Sequence, residues 1–459
     1  MTLSNRLLMA CILLGLAHPA PAEDLLDIYQ RALQSDPLIR EAEATRLASS
    51  EALPQARGAL LPQINGSASE QRSDSEGNSV FIGIVNGIPE PQETRFRVRD
   101  NETFSWDITL RQSLFRWDQI VGLRQAKQRV AEADATYEAA QQSLLLRVAE
   151  RYFGVLAAQD TLEANEASRL AISKQLDQAQ KRFEVGLIAI TDVQESQAAF
   201  DQAIADEIQA KRALATARYQ LSEITNAPVG ELAKPEGEFP LSPPSPEIED
   251  EWVAVAMEQN LDLIAGRIAA EIASKDVGIQ RSGHMPTVDL VARRDHFEAE
   301  EEQSNGDLPF LPLGRSNDGT SVSIQVSIPI FSGGATSSRV RQAVYNHRAA
   351  RERVQRIARE TERLTRDAYL GVLTDISRTK ALQQALKSSE TALEATQAGF
   401  DVGTRTTVDV LDAQRALFNA RTQFLSARYD YLLNVLRLKQ AAGGLQVQDL
   451  EQINRLLAE

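Results

Sequence analysis

The sequence carries a single cysteine, Cys11, and four histidines among 459 residues. Cys11 lies in a leader-like segment: Arg6 opens a short basic region, Leu7 to Ala17 is apolar, and Ala20-Pro21-Ala22 supplies the small residues of a cleavage site before Glu23. An export signal over residues 1–22 is therefore expected, and beyond it the chain has no thiol, so neither disulfides nor thiol chemistry carry the fold. Leu8-Met9-Ala10-Cys11 loosely resembles a lipoprotein processing box, but the apolar core continues past it to Leu16 and too little precedes it, so lipidation is not expected. Past His18 only His284, His296 and His347 remain, and none has ligand spacing. No phosphate loop or nucleophile elbow appears, so neither an enzyme nor a cofactor is expected. The formal charge is −15, and −16 once Arg6 is gone, a poor match for nucleic acid or anionic lipid surfaces. No segment past the leader offers 18 consecutive apolar residues, which excludes a transmembrane helix by composition. An exported chain of this kind is either soluble in the next compartment or crosses a membrane by strands.

What the chain does have is a second copy of itself. Phe183-Glu-Val-Gly-Leu-Ile-Ala-Ile-Thr-Asp-Val193 returns 217 residues later as Phe400-Asp-Val-Gly-Thr-Arg-Thr-Thr-Val-Asp-Val410. The same offset relates Tyr152-Phe-Gly-Val-Leu156 to Tyr369-Leu-Gly-Val-Leu373, and nearby offsets relate Leu114-Phe115 to Ile330-Phe331 and the Pro62 region to the Pro286 region. A repeat of about two hundred residues is far longer than a solenoid unit and suggests pseudo-symmetric subunits that close into a ring. The expected division is a leader at 1–22, a first copy at 23–232, a proline-rich crossover at 233–250 and a second copy at 251–459.

Each copy reads in the same order. An opening helical stretch (Leu25 to Arg57; Glu251 to Arg281) precedes two strand-like segments separated by a long polar loop. A very long helix follows (Trp117–Glu184; Ala335–Asp401), then a Val-Gly turn and a helix of about 35 residues. Neither long stretch contains proline, and at about 1.5 Å per residue each would span on the order of 100 Å. One long rod beside two stacked half-rods is a natural packing unit. In the last helix Val410, Leu417, Phe424, Tyr431 and Leu438 recur every seven residues, Ala413, Ala420, Ala427 and Ala441 run parallel with Asn434 as their polar member, and Leu411, Phe418, Leu425 and Leu432 form a third stripe. Strict heptads with alanine mean left-handed supercoiling at close approach. On periodicity alone a stave in a helical barrel and an ordinary antiparallel bundle fit equally well.

The strands separate these readings. Val322, Ile324, Val326, Ile328 and Ile330 alternate with polar residues and Pro329; Phe104, Trp106, Ile108 and Leu110 alternate with Ser105, Asp107, Thr109 and Arg111; Leu60, Pro62, Ile64, Gly66 and Ala68 do likewise. One apolar and one polar face, at strand lengths near the 9–11 residues of a membrane barrel, predict membrane strands with Trp106 and Phe115 in the aromatic girdles. The apolar run Val80-Phe81-Ile82-Gly83-Ile84-Val85 is expected to extend a strand. A small soluble sandwich is the alternative, and the leader, polar loops and duplication count against it. Four strands cannot close a barrel; eight would be filled by their own side chains, so a pore favours three chains and twelve strands.

Val185-Gly-Leu-Ile-Ala-Ile-Thr-Asp192, Val402-Gly-Thr-Arg-Thr-Thr-Val-Asp-Val-Leu-Asp412, Val326-Ser-Ile-Pro-Ile-Phe-Ser-Gly-Gly334, Tyr429-Asp-Tyr-Leu-Leu-Asn-Val-Leu436 and Gly444-Leu-Gln-Val-Gln-Asp-Leu450, in this order, resemble the TolC-type outer-membrane factor family of Gram-negative efflux pumps and type I protein secretion systems. The resemblance implies a mainly α fold with a membrane β-barrel: a homotrimer whose twelve-stranded barrel in outer-membrane lipid continues into a periplasmic α-helical barrel. It implies a passive duct whose energy comes from an inner-membrane transporter of the RND or ABC class, joined through a periplasmic adaptor (membrane fusion) protein. The turns Val185-Gly186-Leu187 and Val402-Gly403-Thr404 would receive the adaptor. Asp409 and Asp412 match two acidic rings that narrow the closed entrance, where carboxylates held close raise one another's pKa and attract cations. Arg405 matches a latch arginine that bonds across to Thr191 and Asp192. Phe400 departs from the family tyrosine whose hydroxyl bonds at the Asp192 position, so the latch would rest more on Arg405 or be looser. The mostly apolar Leu187–Thr191 turn is expected to hold and the Thr404–Val408 turn to open. A periplasmic coiled-coil scaffold without a pore is the competing function.

Overall fold

The structure, a computed structural model, describes residues 22–85, 87–235, 240–305 and 309–458. The expected leader lies outside the described residues but for Ala22, as do residues 236–239 of the crossover. In chain order the elements are α1 (Leu25–Ser35), α2 (Pro37–Ser50), α3 (Ala52–Gly58), β1 (Gln63–Val85), β2 (Ile88–Phe115), α4 (Trp117–Glu184), α5 (Ile190–Thr225), α6 (Glu249–Gln259), α7 (Leu261–Ser282), β3 (Thr287–Asn305), β4 (Leu311–Ser327), α8 (Ala335–Asp401), α9 (Thr407–Ala441) and α10 (Val447–Ala458). The chain is mainly helical with one sheet, and no described helix is long and apolar enough to cross a membrane.

The opening stretches are divided where single helices are expected. Pro37 has no N–H and disfavours the α conformation at Asp36, which takes ψ 119°. The Asp36 carboxylate then accepts from the Leu38 N–H at 3.0 Å. In the second copy Asn260 has ψ 122° and accepts from the Leu263 N–H, also at 3.0 Å. A short polar side chain restarts the helix in both places.

Two compact units share the chain. The first comprises described residues up to 46 with 133–266 and 353–458. Its core is Leu25, Ile28, Leu144, Val148, Tyr152, Phe153, Leu156, Leu221, Leu436, Leu438 and Leu450, all buried. Tyrosine hydroxyls fasten the non-helical crossover to this core. Tyr152 donates to the Ala233 carbonyl at 2.7 Å, its repeat partner Tyr369 donates to the Glu247 carbonyl, and Tyr431 donates to the Ser242 carbonyl at 3.0 Å. Buried Tyr429 donates to Asp160 at 2.7 Å, and Lys234 of the crossover reaches the same carboxylate at 3.1 Å. On α9 Val410, Leu411, Ala427, Tyr431, Leu432 and Leu438 are buried, whereas Leu417, Phe418, Phe424 and Leu425 remain half-buried.

The polar member of the alanine stripe has a partner. Asn434 donates to the buried Asp375 carboxylate at 2.5 Å and accepts from Arg437 at 3.1 Å. It fits because Gly371 lies opposite: a Cβ there would sit 3.3 Å from the Asn434 amide nitrogen. In the first copy the corresponding pair is Ala217 and Gly154, and a Cβ at Gly154 meets nothing within 4 Å. The α8–α9 hairpin thus has a polar pin in its register that the α4–α5 hairpin lacks.

The second unit comprises residues 47–132 and 267–352. Its antiparallel sheet has the order β1-β2-β3-β4. The apolar row Ile64–Leu110–Ala292–Val322 crosses all four strands on one face, where Ile108 and Trp106 lie beside Arg294 and His296, while the neighbouring row Gln63–Arg111–Val291–Ser323 belongs to the other face. Ile64, Val322 and Ile324 are each at least 65% exposed, so the chain does not itself cover the apolar face. The strands run 17 to 28 residues rather than the expected 9–11, because the loop residues also pair, from Ser75–Val98 to Val85–Ile88. Both faces are polar for most of that extension, so no apolar alternation marks it in the sequence. The Val80–Val85 run lies in β1, as expected of a strand extension. At the other end β4 stops at Ser327, short of the expected Ile330, where Pro329 offers the ladder no N–H.

Nine residues separate Trp106 from Phe115, an odd spacing that in a regular strand places them on opposite faces. A bulge between Ser113 and Phe115 corrects this: Trp106 pairs with His296 and Phe115 with Val288, both even-numbered residues of β3 on the apolar face. Trp106 stacks on His296 with ring centroids 6.0 Å apart. Phe331, the repeat partner of Phe115, is 87% exposed and belongs beside it as a candidate anchor, although the strand pattern does not single it out.

Replacing Asn434 with alanine strips buried Asp375 of its donor. The expected cost is about 2 kcal/mol, read as a lower urea midpoint by circular dichroism, and part of it should return in the Asn434→Ala, Asp375→Ala double variant.

Candidate functional site

The two hairpin turns both belong to the first unit and close in the same way. At the end of α4, the Leu187 N–H donates to the Arg182 carbonyl and the Gly186 N–H to the Phe183 carbonyl, each at 2.8 Å. At the end of α8, Thr404 N–H donates to Gly399 at 2.9 Å and Gly403 N–H to Phe400 at 3.1 Å. This pair of bonds requires a left-handed residue, supplied by Gly186 at φ 78° and Gly403 at φ 80°. The turns therefore present side chains outward: Val185, Leu187 and Val402 are each at least 70% exposed.

The helices that leave the turns start differently. Thr406 caps α9: its hydroxyl accepts from the Asp409 N–H at 3.3 Å, while the Asp409 carboxylate accepts from the Thr406 N–H at 2.8 Å. In the first copy the cap is Ala189, which has no acceptor, and only the return bond survives, from the Ala189 N–H to Asp192 at 3.2 Å. The second turn has a complete capping box and the first has half of one.

The proposed gate and latch residues are distributed as follows. Asp409 lies 3.9 Å from Arg405, and Asp412 lies 3.6 Å from Arg415. The Thr406 amide and hydroxyl, helped by Arg405, hold the Asp409 carboxyl below its ordinary range. Arg405 folds back over Gly399, where a Cβ would come within 2.8 Å of its stem, and makes no bond to Thr191 or Asp192 within the chain. The structure does bring Phe400 to a partner that sequence reasoning missed. Phe400 is buried, and the Arg182 guanidinium stands over its ring at 4.3 Å while also lying 3.8 Å from Asp401. A cation over an aromatic face joins the ends of α4 and α8 without a hydroxyl. The only available signal was that Arg182 immediately precedes Phe183, the repeat partner of Phe400. Among the described residues no cluster of histidine, cysteine, aspartate and glutamate is arranged to hold a metal ion.

Two stretches, residues 28–227 and 252–444, match the family described as Outer membrane efflux protein. The chain belongs to the outer membrane efflux protein family. It is a channel protein of the outer membrane. The two matched stretches of this efflux-family chain fall one in each copy of the repeat. It is 36% identical to the outer membrane protein TolC of Vibrio cholerae serotype O1 over 433 residues, 94% of this chain and 93% of that one. It is 30% identical to the alkaline protease secretion protein AprF of Pseudomonas aeruginosa over 448 residues, 97% of this chain and 90% of the relative. Among solved structures, the CmeC outer membrane channel of Campylobacter jejuni superposes with a TM-score of 0.73 at 18% identity, covering 95% of this chain and 89% of CmeC, which speaks to the fold alone.

The cap difference predicts that Ala189→Thr slows protease cleavage at the Val185–Ala189 turn, whereas Thr406→Ala speeds cleavage at the Val402–Thr406 turn. Each change corresponds to about 1 kcal/mol of helix-end stability, measured by limited proteolysis with mass spectrometry.

Proposed function

We propose that three copies of this chain form an exit duct through the outer membrane, passive in itself, for small-molecule efflux or type I protein secretion. The observation that carries the reading is the sheet. Its apolar face is uncovered, and β1 and β4 each keep one edge without a partner among the described residues. Backbone groups at such edges have no water to bond in hydrocarbon, so the edges must pair, and β4 of one copy against β1 of the next gives an antiparallel ring. Three sheets supply twelve strands, enough to leave a lumen. Trp106 and Phe115, now on one face, would mark the two membrane interfaces. The half-buried α9 stripe of Leu417, Phe418, Phe424 and Leu425 would pack on a neighbouring copy's helices in a periplasmic barrel.

At the turns, Val185-Gly186-Leu187 and Val402-Gly403-Thr404 would receive a periplasmic adaptor that links the duct to an inner-membrane RND or ABC transporter. Asp409 and Asp412 would form the acidic rings of the entrance, each already beside an arginine of its own chain. Arg405 would exchange Asp409 for Thr191 and Asp192 of an adjacent hairpin when the entrance is latched, and the Arg182–Phe400 contact would serve where the family tyrosine is absent. The relative named for alkaline protease secretion supports a duct that serves protein cargo.

Two measurements test the proposal. The protein should fractionate with outer membranes and run on unheated gels as a trimer that collapses to monomer on heating; a soluble monomer overturns the duct. In a planar bilayer, Asp409→Ala with Asp412→Ala should weaken block by trivalent cations, and unchanged block removes the gate assignment. Because the Thr406 donors hold the Asp409 carboxyl below its ordinary range, the charge at Asp409 and the share of block that depends on it should survive to lower pH in the wild type than in Thr406→Ala.

A further inference from the structure

On the polar face of the sheet the charges pair off. Arg116, just past β2, holds Asp289 with two hydrogen bonds of 3.0 and 2.7 Å, and Arg293 lies 3.8 Å from Asp107 and 3.7 Å from Asp295. Arg111 is engaged only at longer range, through its charge, by Asp289. Its register, opposite Gln63 and Val291, places it on this face, it is exposed, and it has no carboxylate within 4.0 Å among the described residues.

Arg111 also borders an open cavity of about 600 Å³ in the same unit, where α3, the first residue of β1, the last turns of β2's polar face and the first turn of α4 meet. The lining includes Gln55, Gln63, Arg111, Ser113, Arg116 and Gln119. Arg116 is engaged by Asp289, and the Gln63 amide nitrogen by the Gly58 carbonyl at 2.8 Å. Two groups are left over with opposite needs. Arg111 offers a planar fork of donors, and the Gln119 Oε1 is a buried acceptor with no hydrogen-bond partner. A buried acceptor left unmade costs free energy, and a guanidinium fork matches the oxygens of a phosphate. The volume lies in the range of small-molecule sites.

We infer that this cavity binds a phosphate-bearing molecule, with Arg111 on the phosphate oxygens and the Gln119 Oε1 accepting from a ligand hydroxyl. The inference rests on the duct reading in one respect: there the polar face is the inner wall, and the cavity becomes a station for anionic cargo in an otherwise acidic protein. The same chemistry belongs to the headgroup of a glycerol phospholipid, so both sources are tested.

Calorimetric titration of the detergent-solubilised trimer should show binding of glucose 6-phosphate and about tenfold weaker binding of glucose, which has the hydroxyls without the charge. Arg111→Gln should abolish the preference, Arg111→Lys should retain part of it, and Gln119→Glu should weaken it by setting a carboxylate beside the ligand. The two Arg111 variants and the Gln119 variant are accepted only if the heat-sensitive trimer band is unchanged, which keeps a failure of this site distinct from a failure of the duct. Trimer in nanodiscs with and without phosphatidylglycerol supplies the lipid arm. Loss of bound phosphatidylglycerol in Arg111→Gln, without glucose 6-phosphate binding in the wild type, supports the phosphate site and assigns it to lipid. Binding of neither ligand, or binding unchanged in Arg111→Gln and Gln119→Glu, overturns the inference, including the case where a second copy fills the cavity.

Discussion

A backbone N–H or carbonyl has nothing to bond to in hydrocarbon unless the protein supplies a partner, and this requirement governs the fold. β2 and β3 meet it within the chain by pairing on both sides; β1 and β4 do not, because each has one neighbour. Four strands with an uncovered apolar face are therefore an unfinished object in one chain. In the proposed ring, self-association would finish it with no new kind of contact, since one edge of the sheet is antiparallel to the other. Among the described residues no helix is long and apolar enough to cross a membrane, and in the proposed duct the strands would make that crossing.

Duplication supplies two hairpins of one design, and the differences between them are small in sequence and specific in chemistry. One carries the Asn434–Asp375 pin with Gly371 making room; the other keeps alanine at Ala217. One begins its second helix with a complete capping box at Thr406 and Asp409; the other has Ala189 and half a box. The expectation that the first turn holds and the second opens has to contend with this pattern. The second hairpin is the better fastened at its cap, while α4 and α5 have a link of their own where Arg169 holds the buried Glu207 carboxylate. Arg405, folded over Gly399 and beside Asp409, is already positioned at the exposed end of the second hairpin.

Much of this was legible in the residues. Long stretches without proline placed the long helices at Trp117–Glu184 and Ala335–Asp401, where they are found. Period-two alternation identified part of β1, β2 and β4, but not the polar extensions, whose two faces are chemically alike. The turn glycines were visible as Val-Gly repeats, and the structure adds the reason for them in their positive φ. The Arg182–Phe400 contact was barely legible, because the two residues lie on different long helices and only the repeat, which matches Phe400 with Arg182's neighbour Phe183, relates them.

The sequence by itself determined periodicity: which residues share a face of a helix or strand, where a helix must stop, and that the whole pattern occurs twice. Those properties depend on neighbours a few positions away, through backbone geometry and the placement of Cβ atoms. Only the tertiary structure decided the relations between distant segments. A single bulge after Ser113 brought Trp106 and Phe115 to one face, Asn434 found its counterpart in Asp375, and Arg111 was left with Asp289 only at longer range. Such outcomes depend on register and close approach between elements far apart in the chain, where a shift of one residue reverses a face and a single Cβ decides whether two helices can meet.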